Sequence, residues 1–220
     1  MIVALLGDPV SASLSPLMQN AAFAARGLDW TYVALRVAAD ALDDALRGLV
    51  ALGFAGANVT TPHKLGAARL VGADVESVNT LVVRDGRLNG CSTDAAVLGG
   101  LQFERAAILG DGGAAIAFAA ALPDAARFSR RGVWPPDVSD ADLVVNATSE
   151  RDSVLVELGA GQTLVDLPYP ATATARAAAA RGARVVDGLD VLVAQGAASF
   201  ELWTGVSAPV DVMQAAVRSA

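Results

Sequence analysis

Short apolar runs alternate with helix-type segments twice along this chain, and that rhythm constrains its fold more than any other feature. In the first block, strand-like runs at 2–6, 30–37 and 56–60 are separated by helix-like segments at 16–25 and 41–52, which is the order of βαβ units. A helix-like stretch at 65–70 leads to two strand-like runs, 78–83 and 88–94. They flank Arg84-Asp85-Gly86-Arg87, a hairpin signal. The second block places short apolar runs at 106–110, 143–146, 163–167 and 183–186, with an alanine-rich helix running to Leu122 and another at 172–181. Residues 190–220 read as two helices broken near 205–209. The chain is therefore expected to be α/β, with one domain at 1–100 joined by 190–220 and a second at 101–189. The C-terminal helices would return to the first domain.

Composition narrows the partners. Of 220 residues, 54% are apolar, enough for a buried core and too many for a disordered chain. The net charge of −7 and the isoelectric point near 4.6 argue against nucleic acid and against anionic membranes, leaving a small molecule as the expected partner. Cys91 is the sole cysteine and no Cys/His cluster has metal-binding spacing, so neither an internal disulfide nor a metal is expected. The N-terminus lacks a basic start and a long apolar run, and no stretch reaches the roughly 18 uninterrupted apolar residues of a membrane span. A cytoplasmic setting is expected.

The segment from Gly53 to Lys64 ends an apolar run on Asn58-Val59-Thr60-Thr61, then reaches Pro62, His63 and Lys64. Proline favours a helix start, so Thr60 and Lys64 would sit at a strand-to-helix corner, where ligand crevices of open α/β sheets lie. Lys64 and Asp94 are the expected proton-transfer pair, since a carboxylate can orient a lysine toward a substrate hydroxyl. Each follows a polar run. Ser13 and Ser15 are further ligand candidates, and the Ser15 hydroxyl is also expected to cap the helix that opens with Pro16. A Cys91–His63 nucleophilic pair is arithmetically possible, but no flanking signature supports it, and His63 reads as a helix-start packing residue. Trp30, Trp134 and Trp203 read as core or interface anchors.

A second constellation lies at Gly110-Asp111-Gly112-Gly113-Ala114-Ala115, which fits the G-x-G-x-x-A dinucleotide fingerprint between a strand and a helix. Gly110 permits a tight turn, Gly112 lets backbone approach a pyrophosphate, and the following helix N-terminus offers free amides. This makes the second domain Rossmann-like. Downstream, Ser129, Arg130 and Arg131 stand where an arginine receives the 2′-phosphate of NADP, so NADP is favoured over NAD. Asp111, however, puts a carboxylate beside the expected pyrophosphate. Residues 132–137 are too short and too rich in proline for the helix that usually follows a second Rossmann strand, so the domain reads as trimmed.

The ordered motifs resemble the shikimate dehydrogenase family, including quinate and shikimate-like relatives. They run from Gly7-Asp8-Pro9 and Ser13-Leu14-Ser15-Pro16 through Asn20, Phe23 and Gly27 to Asn58-Val59-Thr60-Thr61-Pro62-His63-Lys64. Val78-Asn79-Thr80-Leu81, Thr93-Asp94, the glycine turn and Asn146-Ala147-Thr148-Ser149 follow. Asp166, Tyr169 and Pro170 come next, and Gly188, Leu192, Gln195, Phe200, Trp203 and Gly205 close the series. The resemblance implies NADP-dependent reduction of 3-dehydroshikimate to shikimate, a step of aromatic amino acid and chorismate biosynthesis. It also implies that Ser13 and Ser15 hold the substrate carboxylate, that Thr60, Lys64, Asn79, Asp94 and Gln195 hold ring hydroxyls with Tyr169 close by, and that Lys64 and Asp94 are catalytic. Gly110, Gly112, Gly113, Ala114, Ser129, Arg130, Arg131, Asn146, Thr148 and Gly188 would serve the cofactor. The expected assembly is a monomer or homodimer. The chain departs from the family at Ala12 and Gln19, each in place of histidine, at Ser92 in place of asparagine, and at Glu150-Arg151 in place of a glycine. It is also short in the cofactor domain. A pocket-bearing protein with weakened or lost cofactor binding, and an NAD-dependent quinate- or shikimate-like enzyme, are the alternative readings.

Overall fold

Val3, Ala4, Leu5 and Leu6 are all buried, as a strand covered on both faces requires, and β1 (Ile2–Gly7) is accordingly an inner strand. The computed structural model describes residues 1–220. They divide into two units, Met1–Asp94 with Val193–Ala220, and Ala95–Leu192.

In the first unit β1 pairs in parallel with β2 (Thr31–Arg36) and β3 (Gly56–Val59). The sheet then turns antiparallel through β4 (Thr80–Arg84) and β5 (Arg87–Cys91), giving the order β2-β1-β3-β4-β5. The β4–β5 turn holds Asp85 at φ 51° and Gly86 at φ 70°, the left-handed pair that a two-residue hairpin loop demands. Helices α1 (Ser15–Ala25), α2 (Leu42–Ala51) and α3 (Lys64–Val71) connect the strands. Leu42, Leu46 and Leu49 recur at helical spacing on α2 and pack with Leu6, Val59 and Leu81 on one face of the sheet.

Two local expectations are corrected. Helix α1 begins on Ser15 with no side-chain cap, and the amide of Ser15 donates instead to the Ser13 hydroxyl at 3.2 Å. Pro62 lies in the turn before α3, whose first residue is Lys64, because the His63 amide closes that turn onto the Thr60 carbonyl at 2.9 Å.

The second unit carries an all-parallel sheet in the order β10-β9-β8-β6-β7. Its strands are β6 (Ala106–Leu109), β7 (Ala126–Phe128), β8 (Leu143–Asn146), β9 (Thr163–Asp166) and β10 (Arg184–Val186). Helix α4 (Gly113–Ala121) follows β6, and α5 (Ala173–Ala180) follows β9. No helix joins β7 to β8 or β8 to β9. Loop residues take over their burial duty, as Val138, Ala141, Val156 and Leu158 cover Ala107, Leu109, Val144 and Leu164 on one sheet face. On the other face Ile108, Val145 and Val165 pack under Ala115, Phe118 and Val191. This is the Rossmann-like architecture with its middle reduced to loops.

Helix α6 (Gly188–Thr204) begins in the second unit and ends in the first, and α7 (Val210–Arg218) packs on α1. On the first unit's sheet, the Trp203 indole N–H donates to the Leu81 carbonyl at 2.9 Å. Gly56 makes room for that bond, since a Cβ there would stand 2.2 Å from the Leu81 oxygen and 2.6 Å from Trp203 Nε1. Gly56→Ala is therefore expected to lower stability by about 1–3 kcal/mol through overpacking and loss of the indole bond, read as a lowered Tm by calorimetry. An unchanged Tm would contradict the packing described.

Candidate active site

Three strand ends of the first unit converge at one edge of its sheet. β3 leaves through Thr60, β4 enters from Asn79, and β5 leaves through Ser92, Thr93 and Asp94, so antiparallel pairing brings Asn79 beside both exits. The Val59 amide donates to the Asn79 carbonyl at 2.8 Å and the Asn79 amide to the Cys91 carbonyl at 3.2 Å. Helix α3 opens at this edge with Lys64, whose carbonyl accepts from Val78.

Lys64 Nζ donates to both carboxylate oxygens of Asp94, at 2.7 and 2.6 Å, with the side chains 14% and 9% exposed. Asn79 Nδ2 donates to Asp94 Oδ1 at 3.0 Å and to Gln195 Oε1 at 3.3 Å, bringing four of the expected site residues together. Asn79 Oδ1 accepts from the Thr93 amide at 2.7 Å and from the Thr80 hydroxyl at 3.0 Å. Asn79 is thus occupied on both sides of its amide and orients Asp94.

A buried network that sequence reasoning missed stands behind this group. Ser199 of α6 exchanges hydrogen bonds with Thr80 at 2.8 Å and with Thr93 at 3.1 Å, and accepts from Asn58 Nδ2 at 3.0 Å. The Tyr32 hydroxyl donates to Asn58 Oδ1 at 2.8 Å. The signal was present as spacing, because Gln195, Ser199 and Trp203 recur every four residues and share one face of α6.

Ser13, on the loop that leaves β1, and Ser15, the first residue of α1, form their own pair, hydroxyl to hydroxyl at 3.2 Å. That loop runs beside the one carrying Thr60, tied by Asp8 N to Thr61 O at 3.1 Å and Thr60 N to Leu6 O at 2.9 Å. His63 is buried and its Nε2–H donates to the Val37 carbonyl at 2.7 Å, a packing role. Burial pushes the Cys91 thiol above its ordinary value, opposite to an activated nucleophile. The Cys91–His63 alternative finds no support in this geometry.

The second unit assembles its own constellation at the C-terminal end of β6, where β7 and β8 flank it on either side and the connections diverge. Such a switch point is where α/β sheets take ligands. Gly110 has φ 118°, and a Cβ there would stand 3.0 Å from the Ala147 carbonyl oxygen, so glycine is required on both counts. Gly112 is the N-cap of α4, with nothing within 4 Å of a notional Cβ and no side chain capping the first turn that Gly113 and Ala114 begin. Open space over uncapped amides fits a dinucleotide pyrophosphate.

Asn146 is fully buried and inward-facing, donating to Asp166 Oδ1 at 2.7 Å and accepting from the Thr148 hydroxyl at 2.7 Å. It shapes the loop after β8. Gly188 admits the carbonyls of Leu167 and Pro168, which a Cβ would meet at 2.6 and 2.4 Å. Tyr169 is half-buried in the loop after β9, where its carbonyl accepts from Arg151 at 2.7 Å. Ser129, Arg130 and Arg131 follow β7 directly. Arg130 lies 5.9 Å from the Trp134 ring centroid, so this tryptophan is a platform for a cation and not a core anchor.

The family model for the shikimate dehydrogenase substrate binding domain matches residues 5–81, and that for the shikimate 5′-dehydrogenase C-terminal domain matches residues 188–218. Shikimate dehydrogenase (NADP(+)) of Moorella thermoacetica is 41% identical over 274 aligned positions, covering 100% of this chain and 93% of the relative. This chain has only 220 residues to set against those positions, so it is shortened internally. Among solved structures, shikimate 5-dehydrogenase of Thermus thermophilus, in complex with NADP(H) and shikimate, matches with a TM-score of 0.86 at 30% identity, covering 100% of this chain and 99% of that one. Shikimate dehydrogenase of Aquifex aeolicus matches with a TM-score of 0.88 at 26% identity, covering 99% and 97%. The chain belongs to the shikimate dehydrogenase family, a family of oxidoreductases. No helix is long and apolar enough to cross a membrane.

Removing the hydroxyl of Ser199 would take one partner from each of Thr80, Thr93 and Asn58, which keep their bonds to Asn79, to Gln195 and to each other, and a lost hydrogen bond of this kind costs about 0.5–1.5 kcal/mol. Ser199→Ala is therefore expected to shift the urea midpoint downward by that equivalent. An unchanged midpoint would show that the network is not structural.

Proposed function

We propose that this chain interconverts shikimate and 3-dehydroshikimate with NADP as redox partner, using Lys64 and Asp94 for proton transfer. The observation that carries the reading is the Lys64–Asp94 pair, held between three strand ends and an oriented asparagine. An ammonium has three donors, and Asp94 takes two of them, leaving one N–H for a substrate oxygen. When bound, NADPH would supply the hydride that reduces the ring carbonyl carbon, and NADP⁺ would accept it in the reverse sense. Lys64 Nζ gives its remaining proton to the carbonyl oxygen as that oxygen gains charge, and takes it back from the hydroxyl in oxidation. Asp94 anchors the amine through both protonation states, and Asn79 fixes Asp94.

Ser13 and Ser15 are assigned to the substrate carboxylate, and Thr60 and Gln195 to ring hydroxyls. Gly110, Gly112, Gly113 and Ala114 are assigned to the pyrophosphate, Ser129, Arg130 and Arg131 to the adenosine end, and Thr148 and Gly188 to the nicotinamide side. The uncapped first turn of α4 favours a working cofactor site over a protein that has lost one. The lone thiol supports a reducing, cytoplasmic setting, and a monomer or homodimer is the proposed assembly.

Lys64→Ala should reduce kcat for shikimate oxidation by about 10²–10⁴-fold with KM little changed, followed as NADPH absorbance. Asp94→Asn should lower kcat in the same assay. Breaking a buried ion pair costs about 3–5 kcal/mol, so both are assayed well below their melting transitions. Wild-type kcat in folded Lys64→Ala would overturn the assignment.

A further inference from the structure

The rim of the cofactor site is charge-balanced in an unusual way. Arg130 Nη2 donates to Glu150 Oε2 at 3.2 Å, and Arg131 Nη1 stands 3.6 Å from Asp111 Oδ2. The two guanidiniums follow β7, while Glu150 comes from the loop after β8, two strands away, and Asp111 from the loop after the adjacent β6, so each cation of the adenosine end faces a carboxylate from another loop. Asp111 is thereby turned toward Arg131. Glu150 is the better fixed of the two acids, because its other oxygen accepts the amides of Asp152 at 3.1 Å and Ser153 at 3.2 Å. Those amides hold its carboxyl below the ordinary glutamate range. The carboxylate therefore remains charged and in place at neutral pH.

Resting on the reading of Arg130 and Arg131 as the adenosine-end contacts, we infer that Glu150, seconded by Asp111, sets how this enzyme discriminates between the two nicotinamide dinucleotides, narrowing its preference for the 2′-phosphorylated one. A 2′-phosphate carries nearly two negative charges near pH 7. It meets a rim of two positive and two negative side chains, so attraction to Arg130 is offset by repulsion from Glu150. The unphosphorylated ribose, with neutral hydroxyls, does not feel that repulsion. Glu150 thus acts on the difference between the two cofactors, whereas Asp111, in the glycine turn assigned to the pyrophosphate, also bears on the part they share.

The test is calorimetric titration of the whole protein with NADP⁺ and NAD⁺, and with adenosine 2′,5′-bisphosphate and adenosine 5′-monophosphate as fragments. Glu150→Gln keeps a carbonyl oxygen for the Asp152 and Ser153 amides, so the loop retains its anchor. The ratio of Kd for NAD⁺ to Kd for NADP⁺ is expected to rise about five- to tenfold in Glu150→Gln, the scale of one charge pair in a solvent-exposed site. Asp111→Asn should give a smaller rise, and in Glu150→Gln the bisphosphate should follow NADP⁺ while the monophosphate stays unchanged. A ratio that stays constant overturns the inference. So does one that falls, which would make Glu150 a positioning residue that readies Arg130 for phosphate. Because binding is read without turnover, dinucleotide binding with no shikimate oxidation would sink the proposed activity alone, and absence of any dinucleotide binding would sink both.

Discussion

The buried ion pair between Lys64 and Asp94 is the constraint around which the first unit is organised. Two charges with side chains 14% and 9% exposed cannot sit in a protein unless their remaining hydrogen-bonding capacity is met, because uncompensated burial costs several kcal/mol per ion. Asn79 meets part of it, and Asn79 is in turn held by Thr93, Thr80 and Gln195. Following the bonds outward reaches Ser199, Asn58 and Tyr32, so the chain of partners touches β2, β3, β4, the end of β5 and α6. The buried pair and the fold share one network, which is why the amine arrives with a defined direction.

The second unit meets a different constraint. A parallel sheet must be covered on both faces, and the connections that follow β7 and β8 contain no helices to cover one of them. Val138, Ala141, Val156 and Leu158 answer this by burying single loop side chains where a helix would bury a stripe. Backbone polar groups in such loops need partners, and Gln162 supplies them by donating to the carbonyls of Val138 and Ala141 while accepting from the Gly159 amide. The sheet thus survives the shortening with its switch point intact.

Much of this was legible because the strands are periodic and the glycines have single physical meanings. β1, β3, β6 and β8 fall within a residue or so of the apolar runs, and Asp85-Gly86 announced its hairpin. Lys64 and Asp94 were singled out by the polar residues preceding each. Details set by hydrogen bonds between distant segments were not legible. The Ser15 cap is absent because the helix begins one residue earlier, with Leu14 at the cap position and the Met18 amide bonded to the Leu14 carbonyl, and the platform role of Trp134 depends on Arg130 folding over it. The motif that names Asn79 as a ligand residue does not say that its side chain also bonds Asp94, Gln195 and Thr93. Ser199 is separated by 119 residues from Thr80, and only the docking of α6 makes them neighbours.

The arrangement at Arg130 shows how shortening a domain and choosing a cofactor become one physical question. An arginine side chain loses on the order of 2 kcal/mol of rotamer freedom when fixed, and the connection after β7 has no helix to fix it. Trp134 and Glu150 do the fixing instead, one from the same loop and one from the loop after β8. Yet the group that orders the guanidinium carries the same sign as the phosphate that the guanidinium would receive. A neutral partner would order Arg130 less strongly and repel less, whereas a carboxylate gives order at the expense of phosphate attraction. If Arg130 receives the phosphate as proposed, loop order and cofactor preference are opposed through a single carboxylate, and moving either one changes the other.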